Sequence, residues 1–145
     1  MPSTTLMNVS VKCEYALRAV FELALRSGSE PTRIADIAER QGIPQKFLES
    51  ILAELKKGGF LESKRGAEGG YLLGRPAELI TVGEVIRSVE GGRTGRATLD
   101  AGGALDFFWE RVDGAVAEII DRTSFADLVR EWRERQASFV PNWEI

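Results

Sequence analysis

The chain of 145 residues contains no histidine and only one cysteine, Cys13. Without histidine there is no Ser-His-Asp triad, no histidine general base and no imidazole ligand for a metal. One cysteine excludes an intrachain disulfide, a four-cysteine zinc site and a cluster held by the cysteines of one chain. Because Cys13 falls within an apolar helical pattern, we predict a small core residue rather than a redox sensor. An enzyme is therefore the least favoured class.

Long apolar runs are also missing. No stretch approaches the roughly 18 apolar residues of a membrane span. The start "MPSTTLMNVSVK" lacks the charged and apolar regions of a secretory signal and reads as a polar tail over residues 1–8. The lone cysteine is typical of a reducing compartment. We therefore expect a cytoplasmic protein that does not contact a membrane.

The net charge of −3 argues against a general nucleic-acid coat. The charges are unevenly distributed, however. Residues 100–145 contain ten acidic and five basic side chains, which leaves twelve acidic and fourteen basic ones in residues 1–99. Nucleic-acid binding depends on a local basic face rather than on the whole-chain sum. The N-terminal part of the chain is compatible with such a face.

Apolar spacing predicts three helices in the first part of the chain. The predicted boundaries are Gly28 as the C-cap of the first helix, Thr32 and Gly42 around the second, and Pro44 at the start of the third. The third helix, "PQKFLESILAELKKGG", has its leucines and isoleucine on one face. "FLESK" and "GYLLG" then predict two short strands around a glycine-rich loop.

Three helices follow the strands. "LITVGEVIRSVEGG" predicts a fourth helix capped by Thr81, and residues 91–103 predict a mobile linker without periodicity. A long helix from about Leu105 to Asp121 and a last helix capped by Thr123 or Ser124 complete residues 104–145. The long helix has an apolar stripe wider than one small domain needs, so we expect it to pack against its mate in a homodimer. The predicted interface residues are Leu105, Phe108, Trp109, Val112, Val116 and Ile119.

Three helices followed by two strands predict a mainly α fold with a small β-wing, the winged helix-turn-helix. The third helix would enter a major groove of DNA, where polar side chains of its first turn reach base edges. In the wing "RGAEGGY", glycines permit a tight turn, Arg65 can enter a minor groove and Lys64 can contact phosphate. The predicted DNA contacts are Thr32, Gln45, Lys46, Phe47, Glu49, Lys64, Arg65, Gly66, Gly69 and Gly70.

Other interpretations of the wing remain. It is also compatible with a solvent-exposed hairpin without a ligand, which would make the protein an interaction module that has lost operator binding. "GAEGG" matches neither of the common glycine-rich nucleotide-binding motifs, which disfavours a phosphate cradle.

The stretches "EYALRAVFELA" and "IADIAERQGIPQKFLESILAELKKGGFLESKRGAEGGYLLGRPAELITVGEVIRSVEG" resemble the bacterial Rrf2 family of winged-helix regulators over about residues 9–91. The resemblance implies a homodimeric regulator, most often a repressor, that binds palindromic operators. It assigns Gln45, Lys46, Phe47 and Glu49 to the major groove and Arg65 to the minor groove. Phe47 stands where the family often has tyrosine.

The chain departs from the family after the fourth helix. Cluster-binding members carry three cysteines there, whereas "GGRTGRATLDAGGALDFFW" has none. We therefore expect no iron–sulfur cluster and no other cofactor. The C-terminal part is similar to the cluster-free CymR-type members, which implies control of sulfur metabolism and cysteine synthase as a partner.

Overall fold

A computed structural model of the chain describes residues 9–28, 30–91 and 103–138. The predicted tail over residues 1–8, nearly all of the predicted linker and the end "FVPNWEI" lie outside these ranges. Within them the chain forms six α-helices and one antiparallel sheet of two strands. These are α1 (Val11–Leu25), α2 (Ile34–Gln41), α3 (Gln45–Lys57), β1 (Leu61–Lys64), β2 (Gly70–Leu73), α4 (Val82–Glu90), α5 (Asp106–Arg122) and α6 (Phe125–Ser138).

The first helix lies at the centre of the core and contacts α2, α3, α4 and α6. Its buried face contains Cys13, Ala16, Ala19, Val20 and Leu23. The small residues of this face allow neighbouring helices to approach closely, and the larger side chains come from the partners. Cys13 is fully buried, which confirms its prediction as a core residue.

The second and third helices form the predicted helix-turn-helix. Gly42 ends α2 in the left-handed conformation, with φ of 68° and ψ of 38°, a region that glycine adopts without strain. Ile43 then packs in the core and Pro44 precedes the first residue of α3. Lys56 and Lys57 lie in the last turn of α3, where the helix dipole favours cations.

Two predicted helix boundaries are wrong. Arg26, and not Gly28, follows the last residue of α1, because Arg133 of α6 donates to the Leu25 carbonyl at 3.0 Å and satisfies the helix end without a glycine. Thr32 does not cap α2, since its amide and carbonyl both pair with Tyr71 of β2, at 2.9 and 2.8 Å. The N-cap of α2 is Arg33.

The strands pair in register from Leu61 with Leu73 to Lys64 with Gly70 and form the wing. The Thr32–Tyr71 pairing ties this hairpin to the segment before α2. Gly70 is required at this contact because a Cβ atom there would lie 2.4 Å from the Thr32 carbonyl oxygen. The wing is therefore fixed on the domain by backbone hydrogen bonds at its base.

The fourth helix begins with a complete capping box between Thr81 and Glu84, which confirms the predicted cap. Ser124 and Asp127 exchange the same pair of hydrogen bonds at the start of α6, both at 3.0 Å. Thr81 and Ser124 also form a backbone bridge, so the two helix starts are joined. None of the described helices is long and apolar enough to cross a membrane.

Candidate DNA-binding surface

The third helix divides into a core face and an exposed face. The apolar residues of its core face, Leu48, Ile51, Leu52 and Leu55, are buried. The predicted DNA-contacting residues Gln45, Lys46, Phe47 and Glu49 are all exposed in its first two turns. The side chains predicted to read bases are therefore available to a ligand and are not used by the core.

The wing lies beside this helix. Strand β1 contacts α3, and the Lys56 ammonium donates to the Ser63 hydroxyl of β1 at 2.7 Å. Lys64 and Arg65 follow at the end of β1 and are exposed. The structure thus brings the predicted helix residues and the predicted wing cations onto adjacent elements.

The glycines of the wing tip have a steric role within the chain. Gly66 has a φ of 110°, which favours glycine, and its carbonyl accepts from the Gly69 amide at 3.0 Å. A Cβ atom on Gly69 would lie 2.2 Å from the Lys64 carbonyl oxygen. These glycines allow the tip to fold back tightly and leave Arg65 at its edge.

Arg33 is a further cation of this surface that the sequence prediction missed. Its guanidinium donates to the Ala67 carbonyl at 2.6 Å, and so links the start of α2 to the wing tip. An open cleft of about 610 Å³ between them is lined by Arg33, Lys64 and Arg65. The sequence alone could indicate Arg33 only by its position at the start of α2. The local pattern instead predicts Thr32 as the residue at that boundary.

Thr32 departs from its predicted role as a DNA contact. It is buried, and its backbone is paired with the wing. Thr32 therefore holds the base of the hairpin through its backbone, and it is not among the proposed DNA contacts.

The long helix α5 has no buried residue, although it carries the predicted dimer stripe. Leu105 just before it is 63% exposed and Ile119 is 66% exposed, while Val112 and Val116 are half-buried. Phe108 and Trp109 stack edge-on with their centroids 4.9 Å apart. At its C-terminal end the helix is held to α4, where Arg87 donates hydrogen bonds from Nη1 and Nη2 to the two carboxylate oxygens of Asp121.

Comparison with known proteins agrees with this arrangement. Residues 9–131 match the Rrf2 family, described as iron-dependent transcriptional regulators. The chain belongs to the Rrf2 family.

Two kinds of Rrf2 regulator are similar to it. The HTH-type transcriptional regulator CymR of Bacillus subtilis is 37% identical over 135 residues, which cover 92% of this chain and 98% of that protein. The solved structure of CymR (YrzC), described as the global cysteine regulator of B. subtilis, has a TM-score of 0.78 at 32% identity and covers 86% of this chain and 97% of that one.

The second kind is IscR. The structure of T. potens IscR has a TM-score of 0.78 at 35% identity and covers 94% of this chain and 95% of that one. IscR of Escherichia coli O1:K1 is 46% identical over 84 residues, 58% of this chain, which span about half (52%) of that relative's length. The family and the winged-helix fold predicted from the sequence are confirmed, as is the role of a DNA-binding transcriptional regulator.

Iron chemistry is implied by the description of the Rrf2 family, and the donor atoms of this chain do not fit it. The one thiol, Cys13, is fully buried, and that burial together with Glu90 and Glu14 raises the pKa of the thiol to about 12. A single buried thiol cannot supply the several thiolate ligands that an iron–sulfur cluster requires. The described part of the chain contains no group of three histidine, cysteine, aspartate or glutamate side chains arranged to hold a metal ion.

Proposed function

We propose that the protein regulates transcription by reading an operator with α3 in the major groove and the wing in the adjacent minor groove. The observation that supports this most directly is that α3, with its exposed first turn, contacts β1, the strand that ends at the exposed wing cations. Gln45 and Glu49 carry the amide and carboxylate groups that hydrogen-bond to base edges. Lys46 and Lys64 supply phosphate contacts, and Arg65 enters the minor groove.

The proposed assembly is a homodimer on a palindromic operator. An isolated protomer leaves the apolar stripe of α5 largely exposed, and a second copy related by a two-fold axis would cover it. The stripe comprises the predicted residues Leu105, Phe108, Trp109, Val112, Val116 and Ile119. A dimer also presents two recognition helices, which a palindromic site requires.

Selection from a random-sequence DNA duplex library tests this function, because such a library contains the operator whatever its sequence is. We expect one enriched sequence that binds far more tightly than a scrambled duplex. Arg65→Ala should remove most of that preference. Lys64→Ala should lower the dependence of log affinity on log salt by about one for each lost phosphate contact, which is about two for the homodimer. Arg135→Ala, which removes an exposed arginine of α6, is the control and should bind normally.

An unchanged affinity of Arg65→Ala for the selected sequence would contradict the placement of the wing. Failure to enrich any sequence would favour the alternative, an interaction module that has lost operator binding.

We further propose that the protein works without an iron–sulfur cluster, because its side chains do not supply the ligands that a cluster needs. The chain offers one buried thiol and no imidazole, so another signal must set the operator affinity. Protein purified without oxygen should be colourless and contain no stoichiometric iron. A brown preparation with stoichiometric iron would contradict this proposal.

The similarity to the global cysteine regulator suggests control of sulfur and cysteine metabolism in the cytoplasm, with repression as the mode and without catalytic activity. Cysteine synthase is the partner that this assignment favours. Addition of cysteine synthase to the protein–operator mixture should shift operator affinity, whereas an equal concentration of serum albumin should not. Equal affinities in the two mixtures would remove cysteine synthase from the mechanism.

A further inference from the structure

Phe47 is the one aromatic residue of α3, and it lies in the first turn of that helix. It is 50% exposed, while its neighbours Leu48 and Ile51 are almost fully buried. The core face of the helix is complete without it. An aromatic ring left in solvent on a helix that reads DNA therefore needs an explanation other than packing.

The surroundings of the ring are polar. The Lys46 ammonium lies 5.3 Å from the ring centroid. The Ser50 hydroxyl donates to the Phe47 carbonyl at 3.2 Å, so this neighbour bonds to the backbone of Phe47 and not to its ring. The ring thus presents an apolar edge at the border of the exposed face.

The chemistry of the major groove limits what such a ring can contact. Base edges in the groove carry hydrogen-bond donors and acceptors, and one apolar group, the 5-methyl of thymine. A phenyl ring placed against the polar groups would remove water from them without replacing their hydrogen bonds. The methyl group lies on the side of the base nearest its own backbone, which suits a residue at the border of the reading face.

We propose that Phe47 selects thymine at one position of each half-site through contact with its 5-methyl group. This inference rests on the proposed function, since it needs α3 in the major groove. It adds a specificity-determining residue whose ligand is apolar, beside the polar contacts of Gln45 and Glu49.

Deoxyuridine tests the contact because it keeps every hydrogen-bonding group of thymidine and lacks only the methyl. The duplex enriched from the random library is prepared with thymidine or with deoxyuridine, and affinities are measured by fluorescence anisotropy. The wild-type protein should bind the deoxyuridine duplex more weakly, by about fourfold for each methyl group that is buried. Replacement of one thymidine at a time should localise the loss to one symmetric pair of positions.

Two variants test whether the Phe47 ring causes the weaker binding of the deoxyuridine duplex. Phe47→Ala should bind the thymidine and deoxyuridine duplexes with nearly equal affinity. Ser50→Ala, on the same exposed face, should discriminate between them as the wild type does. The scan of single thymidines uses the wild-type protein alone, so it stands even if Phe47→Ala folds poorly.

The outcomes separate this inference from the function on which it rests. Tight, sequence-specific binding with equal affinity for both duplexes would overturn the role of Phe47 and leave the proposed function intact. Discrimination that persists in Phe47→Ala would also overturn it. Absence of any enriched sequence would instead overturn the proposed function.

Discussion

Glu22 shows how one residue can fix the start of the recognition helix. Its side chain is 3% exposed and accepts from the Arg26 guanidinium at 2.6 Å and from the Gln41 amide at 2.9 Å. Gln41 is the last residue of α2 and directly precedes the turn into α3. The buried carboxylate therefore ties α1 to the turn between the two helices of the reading unit.

We predict that Glu22→Ala lowers the free energy of unfolding by about 2 kcal/mol, because it leaves partly buried donors without an acceptor. Glu14→Ala is the matched control. Glu14 forms the same i,i+4 pair with an arginine of α1, Arg18, but its side chain is 46% exposed. Glu14→Ala should lower the free energy of unfolding by no more than about 0.5 kcal/mol. Urea unfolding measures both, and equal losses would mean that burial does not strengthen the Glu22 contacts.

At the scale of the elements, the N-terminal ends of α4 and α6, which are joined by the Thr81–Ser124 bridge, contribute to stability in a pH-dependent way. The Glu84 carboxylate accepts the Thr81 amide at 3.0 Å, and this hydrogen bond, with help from Arg75, lowers the pKa of Glu84 from its ordinary value of 4.5. The Ser124 amide does the same for Asp127, whose pKa falls below its ordinary 3.8. Lowered pKa values in the folded state mean that the unfolded chain binds protons first as the pH falls.

This stabilisation should be complete above about pH 4.5 and lost as the pH falls through the lowered folded-state pKa values. We therefore predict that the wild-type melting temperature falls more steeply between about pH 4.5 and pH 3 than that of the Glu84→Gln/Asp127→Asn double variant. The amides of that variant do not titrate. Thermal melts by circular dichroism provide the measurement, and parallel curves for the two proteins would contradict the prediction.

The second element with a specific prediction is α5. Val112 lies at the middle of the proposed dimer stripe, and a carboxylate there would be buried without a partner in the dimer. Val112→Asp should give monomers by light scattering and lose operator binding. Glu118→Lys, a larger charge change at an exposed position of the same helix, should remain dimeric. A dimeric Val112→Asp with normal operator binding would refute the assignment of this stripe.

For the whole molecule, the sequence predicted those features that depend on local signals. The core face of α3 follows from its apolar spacing, the end of α2 from Gly42, and the start of α4 from Thr81 as its cap. The helix pattern and the family resemblance both indicated the exposed residues Gln45, Lys46, Phe47 and Glu49 and the wing cations. These placements agree with the structure because each depends on neighbours within a few residues.

The features that were missed depend on residues far apart in the chain. The pairing of Thr32 with Tyr71 moves the start of α2 to Arg33, and no local pattern indicates it. Arg133 satisfies the end of α1 from a helix more than a hundred residues later, so the expected glycine cap is not needed. The burial of Glu22 likewise depends on Gln41. Such contacts become visible only when the whole domain is assembled.

The central claim is that two copies of this chain read DNA with α3 and the wing. Sequencing of the duplexes enriched from a random library tests that claim most directly. It should yield an inverted repeat whose half-sites are centred about one helical turn apart, roughly 34 Å, or a multiple of that distance. A library that remains random after selection, or that converges on a single half-site without its inverted copy, would contradict the account.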